Sequence, residues 1–239
     1  MIKDFGSFAT TVDYWYDAAR GDIVRADQEV DMGVFEINEK NYRLIFAKSN
    51  LTKDGLAANE YDYGDYFALG AIKPWYTKID KTSSPWTATW EKTGGYTNTN
   101  APTLSKTYYK NNVLSPSDDT ARKILGGDWQ LPTKEIWNAL YTTNYDWVWT
   151  TTQDGYNGCK VTSKSDNSKS IFLPAAGYVA GIYFKDVGSK GRYWSGTAGT
   201  TSNDAYILRI TNVSVLAQNN YNRHFGLPVR PVRLVEVPQ

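Results

Sequence analysis

Over the first 28 residues the apolar positions follow no steady period. Phe5, Phe8, Val12, Tyr14, Trp15 and Tyr16 precede a polar run ending at Gly21-Asp22. This stretch, residues 1–29, reads as an N-terminal extension with a short helix that packs on the main body or on another subunit. From Met32 the pattern turns β-like, with Val34, Phe35 and Ile37, then Tyr42-Arg43-Leu44-Ile45-Phe46-Ala47. Residues 73–112 hold Lys73-Pro74-Trp75, Pro85-Trp86 and Gly94-Gly95 with little periodicity, which predicts a long loop.

Two helices are expected next. Ser115-Pro116-Ser117-Asp118 offers a capping serine, a proline suited to the first helical position and an acid in the first turn, so a helix should begin near Ser117. Gly126-Gly127 should stop it after Ile124-Leu125. Thr133 can cap the second helix, where Ile136, Trp137, Leu140 and Tyr141 recur at helical spacing. Short strands are then expected at Val161-Thr162, Ile171–Leu173, Tyr206–Thr211, Asn212–Leu216 and Val229–Val237. Strands at both ends flanking two helices predict an α+β fold, not an alternating parallel one. The main domain spans residues 30–239.

Composition narrows the function classes. The net charge is +1, with both signs scattered along the chain, so no nucleic-acid stripe and no polybasic membrane anchor stands out. No apolar run approaches the roughly 20 residues of a membrane helix. Nucleic-acid partners and direct membrane insertion are therefore not expected. The opening Met1-Ile2-Lys3-Asp4-Phe5 has no signal-peptide core. Aromatic residues reach 15%, mostly Tyr and Trp, which suits both loop-rich cores and exposed binding faces.

Candidate chemistry is sparse. His224 is the sole histidine, no G-x-S-x-G elbow surrounds a serine, and Cys159 is the only cysteine. Cys159 reads as a buried structural thiol. Asp118, Asp119 and Asp128 sit where capping and turn formation account for them, ahead of paired-carboxylate hydrolysis. One Cys and one His cannot assemble a zinc set. The expectation is no enzyme activity, no cofactor and no metal.

Four phrases in the second half carry a resemblance. They are Gly126-Gly127-Asp128-Trp129-Gln130-Leu131-Pro132-Thr133-Lys134-Glu135-Ile136-Trp137, Ile171-Phe172-Leu173-Pro174-Ala175-Ala176-Gly177-Tyr178, Gly191-Arg192-Tyr193-Trp194-Ser195-Gly196 and Gly226-Leu227-Pro228-Val229-Arg230-Pro231-Val232-Arg233. Together they resemble the C-type-lectin-fold domains of gut-bacterial surface proteins and phages, a family that includes variable proteins diversified by retroelements. Tyr61-Asp62-Tyr63-Gly64-Asp65-Tyr66-Phe67-Ala68-Leu69-Gly70 is similar to an early phrase of the same family. The resemblance implies a C-type lectin fold with two helices, a small antiparallel sheet and long loops, its first and last strands side by side. The formylglycine-generating enzyme is a distant fold relative. Its cysteine pair has no counterpart here, so its oxidase chemistry does not carry over. The calcium motifs of sugar-binding relatives, Glu-Pro-Asn and Trp-Asn-Asp, are also missing.

In the diversified relatives the segment rewritten is the one matching 191–225, through mutation at template adenines. An Asn codon changed at its adenines reaches Tyr, His, Asp, Ser, Arg, Ile and Phe, but not Lys, Glu, Gln, Met or Trp. Lys190 is the last lysine, and no Glu or Met falls between Tyr193 and Phe225. Ordinary turn chemistry offers a competing account, since Asn, Ser and Thr are common in loops and hairpins. The resemblance implies that Tyr193, Ser202, Asn203, Asp204, Tyr206, Ile207, Arg209, Asn219, Asn220, Tyr221, Asn222, His224 and Phe225 bind ligand on one exposed surface. Trp194, Leu208, Ile210 and Val229 should lie buried beneath. Strand alternation puts Leu208 and Ile210 inward and Ile207 and Arg209 outward; it turns Tyr206 inward, whereas the resemblance places it on the variable face. The implied function is non-enzymatic display or receptor binding to a protein or glycan on a cell surface. The carrier would be a phage virion or a bacterial surface, and the extension offers a route to oligomers. The alternative is a non-diversified surface module of the same fold that binds glycan or matrix, or serves structurally.

Overall fold

The computed structural model describes residues 14–17, 22–25, 28–91, 94–97, 99–100, 109–152 and 154–238. Strands β1 (Tyr14–Asp17) and β2 (Asp22–Arg25) pair as an antiparallel hairpin. The aromatic and β-branched residues there favour extended backbone, so these eight residues of the extension are strand and no part of the expected short helix. The rest of that expectation falls on residues 1–13, 18–21 and 26–27, which lie outside the described residues.

Strands β3 (Glu29–Ile37) and β4 (Lys40–Ala47) follow, joined by Asn38-Glu39. Both turn residues have positive φ, 52° and 65°, the twist a two-residue hairpin loop demands. A small hairpin of β5 (Leu51–Thr52) and β6 (Gly55–Leu56) comes next. The stretch 73–112, expected as a loop, instead contains β7 (Tyr76–Asp80), β8 (Thr87–Trp90) and β9 (Tyr109–Lys110), the last pairing with β10 (Val113–Leu114). These strands are short and mostly half-exposed, so they leave little period-2 signal.

Helix α1 (Thr120–Leu125) begins later than Ser117. Asp119 is the cap: its carboxylate accepts from Arg122 N at 3.1 Å, while Ser115 and Asp118 close a preceding turn. Gly126 ends the helix at φ 75°, as expected from its freedom at positive φ. Helix α2 (Lys134–Leu140) is capped by Thr133, as expected, and buries Ile136, Trp137 and Leu140. Then come β11 (Tyr145–Thr151), β12 (Asn157–Ser163), β13 (Ser170–Pro174), β14 (Tyr178–Ala180) and β15 (Tyr183–Lys185). The last four strands are β16 (Gly191–Ala198), β17 (Asp204–Ile210), β18 (Val215–Asn222) and β19 (Val232–Glu236). Thr211, expected to close one strand, and residues 212–214, expected to open the next, form the β17–β18 turn. Thr211 Oγ1 there accepts from Ser214 N at 3.0 Å.

Every pair of named strands is antiparallel, and with helices of 6 and 7 residues the architecture is predominantly β. The single small sheet expected from the resemblance gives way to several. The largest runs β18-β17-β16-β10-β9, and others run β11-β12-β13, β14-β15-β8-β7 and β19-β4-β3. The chain's last strand does pair with the early one, Leu234 opposite Leu44.

Two apolar clusters lie on opposite sides of β16 and β17. One gathers Phe46, Trp137, Leu140, Tyr193, Leu208 and Ile210 around α2; the other gathers Leu51, Phe67, Leu131, Trp194, Ile207, Leu227 and Val229. Burying a side chain of this size contributes roughly 1.5–3 kcal/mol. Arg230 is 0% exposed, a charge that needs full hydrogen bonding to survive there. Its guanidinium donates to Asn50 Oδ1 (2.9 Å) and to the carbonyls of Ala47 (3.2 Å), Lys48 (2.6 Å), Glu60 (3.4 Å) and Phe172 (2.9 Å). Burial pulls its pKa down to about 10, so it remains charged at neutral pH.

Candidate functional site

The segment 191–225 divides into a buried body and a half-exposed tip. In the body, β16 is buried from Gly191 to Thr197. Trp194 faces one cluster and donates its indole N–H to Phe67 O at 2.6 Å; Tyr193 faces the other and donates its hydroxyl to Pro174 O at 2.6 Å. On β17, Ile207 stands opposite Trp194 and Leu208 opposite Tyr193. All four are 0% exposed. Two expectations are therefore corrected: Tyr193 and Ile207 are core residues, not surface ones. Alternation tells which face a side chain takes, and here both faces are covered by apolar clusters. Trp194, Leu208, Ile210 and Val229 are buried, as expected.

The tip forms where the loop 199–203 meets the end of β18. Ser202 and Asn203 are exposed, and Asp204 is half-buried with Thr201 Oγ1 donating to its carboxylate at 2.7 Å. Buried Arg223 stitches the two segments together. Its backbone N–H reaches Asn203 O at 2.8 Å and its Nη1 reaches Ser202 O at 2.9 Å. Asn220 donates to Thr200 Oγ1 at 3.2 Å.

Pairing register divides the expected surface in two. Asp204 lies opposite Asn222 and Tyr206 opposite Asn220, so these four share one side of the hairpin. That side faces α2, where Lys134 Nζ sits 4.9 Å from the Tyr206 ring. Ala205 lies opposite Tyr221, and Ile207 opposite Asn219, on the other side. The side chain of Asn219 lies outside the described residues. Arg209 is half-buried, cross-strand from Arg192.

On Tyr221's side the rings converge. Tyr221 lies 5.1 Å from Tyr178 and 5.3 Å from Phe225, Phe225 lies 5.6 Å from Tyr178, and His224 lies 4.5 Å from Phe225. All four are half-buried. Beneath them the Arg192 guanidinium stands 4.4 Å from the Tyr178 ring and 5.3 Å from the Tyr221 ring, an arrangement in which the cation meets the electron-rich faces. Its Nη1 pairs with Asp186 Oδ2 at 2.6 Å. Burial would raise the Asp186 pKa, but hydrogen bonds from Arg192 and Lys190 outweigh it and hold the carboxyl below its usual range. Burial lowers the His224 pKa, so the imidazole is neutral at pH 7. Burial and a hydrogen bond with Tyr178 raise that of Tyr221.

Tyr178 and Arg192 belong to this patch although sequence reasoning did not select them. Both stand inside the phrases that carry the resemblance, but neither falls in the polar, Asn-rich stretch that drew attention. Cys159 is buried, and burial pushes its thiol up to about 12, as befits a structural residue. Among the described residues no group of three or more His, Cys, Asp and Glu side chains is placed to hold a metal. Set against known protein families, characterised proteins and solved structures, the chain finds no match in any of the three.

Proposed function

We propose that this chain is a C-type-lectin-fold display domain that binds a protein or glycan ligand through the tip of the β17–β18 hairpin. Residues 191–225 would be the stretch diversified by a retroelement. The observation that carries the reading is the half-exposed ring cluster of Tyr178, Tyr221, His224 and Phe225, set over Arg192 on a scaffold buried on both faces. Tyr and Phe supply rigid contact area, and Ser202, Asn203, Asn220 and Asn222 supply adaptable hydrogen bonds, the division of labour seen in antibody loops. The pairing of β19 with β4 and the two capped helices support the fold. Tyr193 and Ile207 drop out of the ligand-binding set, since a position that fills the core cannot vary freely. No catalytic role enters this reading: His224 is held in ring contacts and Cys159 is inert.

The test is genomic and direct. The reading expects a near-identical copy of the coding stretch for 191–225 beside a reverse-transcriptase gene, differing only at adenines. Differences spread over all four bases would sink it. The burial of Tyr193 and Ile207 also favours a second reading, a non-diversified binding or structural module of the same fold. That reading expects no such repeat.

A further inference from the structure

Away from the hairpin tip, two polar hollows adjoin beside the end of β4. One, of about 460 Å³, is lined by Gln28, Lys48, Ser49, Asn59, Glu60 and Tyr61 among others. The next, of about 440 Å³, shares Lys48 and Glu60 and continues to Ser168, Lys169 and Ser170. Both shared residues are among those whose backbones the buried Arg230 holds, by Nη1 to Lys48 O at 2.6 Å and Nη2 to Glu60 O at 3.4 Å. Asn50, which accepts from Arg230 Nε at 2.9 Å, donates in turn to Tyr63 O at 3.0 Å. Gly64 follows at φ 68°, where a Cβ would stand 2.5 Å from Leu51 O. The trough floor is thus fixed by a charge that cannot leave the core.

A row of half-exposed rings leads out of this trough. Tyr61 lies tilted against Tyr156 at 5.1 Å, Tyr156 meets Tyr63 edge-on at 5.5 Å, and Tyr63 lies 6.1 Å from Trp86. Tyr156 is held by its own turn, with Thr152 N donating to Tyr156 O at 2.8 Å and Tyr156 N donating to Thr152 Oγ1 at 3.0 Å. Most charges along the trough are taken up in pairs. Asp31 is already paired with Arg43 and Glu29 with Arg233, leaving Lys48 and Lys169 beside Glu60.

We propose that this trough and its ring row bind a neutral oligosaccharide, at a site separate from the hairpin tip. Pyranose rings present apolar C–H faces that pack on Tyr61, Tyr156, Tyr63 and Trp86. Their hydroxyls both donate and accept, which matches the exposed amide of Asn59, the accepting hydroxyl oxygen of Ser168 and the opposed charges of Lys48 and Glu60. A groove with a few convergent polar groups and an aromatic wall suits a small polyol.

Isothermal titration calorimetry of the full chain against cellohexaose, mannohexaose and chitohexaose tests this. At least one should bind in the millimolar range or tighter, and Tyr61→Ala and Tyr156→Ala should each weaken it about tenfold. Val213→Ala, in the distant β17–β18 turn, should leave it unchanged. Should a tyrosine variant fail to fold, Asn59→Ala and Glu60→Gln, both on the exposed rim, carry the same expectation of weakened binding. No heat from any of the three sugars overturns the proposal, as does binding that survives all the trough variants. Sugar binding lost through Phe225→Ala but kept in Tyr61→Ala would move the site to the hairpin tip and overturn it equally.

Discussion

The body and the tip of the β16–β18 sheet are made from the same three strands, yet they obey different rules. In the body, neighbouring residues on β17, Ile207 and Leu208, are both fully buried, because α2 covers one face and the loops around Phe67 and Leu227 cover the other. At the tip, Tyr221 and Phe225 are only partly covered, packing on each other, on Tyr178 and on the rim of the Trp194 cluster. The lesson is that a segment can hold a rigid scaffold and a permissive surface a few residues apart. The layers packed against it decide which is which.

The comparison breaks most readily on the body. Trp194→Ala should cost about 3–5 kcal/mol and Ile207→Ala about 2–5 kcal/mol in urea melts, since each leaves a cavity in a closed cluster. An Ile207→Ala cost below about 0.5 kcal/mol would mean that this face is open after all.

Asp119 should give the next effect. It caps α1 against the same cluster as Trp194, and burial raises its pKa to about 6, against hydrogen bonds from Leu131 and Arg122 that lower it. A carboxyl raised on folding adds stability that is complete below its ordinary value of about 3.9 and lost as pH rises through about 6. Two pKa units correspond to about 3 kcal/mol, an order-of-magnitude figure. Asp119→Asn should remove this part of the pH dependence between pH 4 and 6. His224 has the opposite sign: its lowered pKa favours folding above the ordinary value and disfavours it as pH falls, so a His224→Asn background isolates the Asp119 contribution.

Tyr221→Ala and Phe225→Ala should cost less, about 1–2 kcal/mol each, because half-exposed rings give up partial burial and ring contacts. A cost equal to that of Trp194→Ala would make them core and erase the distinction between tip and body. Ser202→Ala and Asn203→Ala should fall within about 0.5 kcal/mol, the ordinary range for exposed loop positions. In a binding assay the ranking of tip variants should follow the rings, with Tyr221 and Phe225 above Ser202 and Asn203.

Local signals with a local cause were legible in the chain. Thr133 caps α2 and Gly126 ends α1 because capping depends on a few adjacent residues; that β4 lies beside β19 was implied only by the family resemblance. The start of α1 was misplaced by a nearby competitor: Ser115 and Asp118 satisfy each other at 2.6 Å, leaving Asp119 to cap the helix. Strands β7 and β8 escaped notice because short, half-exposed pairs carry no clear period.

What the sequence by itself determined is the buried thiol, the stop of α1, the core identity of Trp194, Leu208, Ile210 and Val229, and the aromatic wealth of the tip. Only the tertiary structure decided that Tyr193 and Ile207 are core, that Tyr206 and Tyr221 lie on opposite sides of one hairpin, and that Tyr178 and Arg192 join the patch. It alone also brought Arg230 under Lys48 and Glu60, about 180 and 170 residues away along the chain. The physical reason is that alternation and capping report on neighbours in sequence. Burial depends on what is laid over each face, and that is set by contacts between residues far apart in the chain.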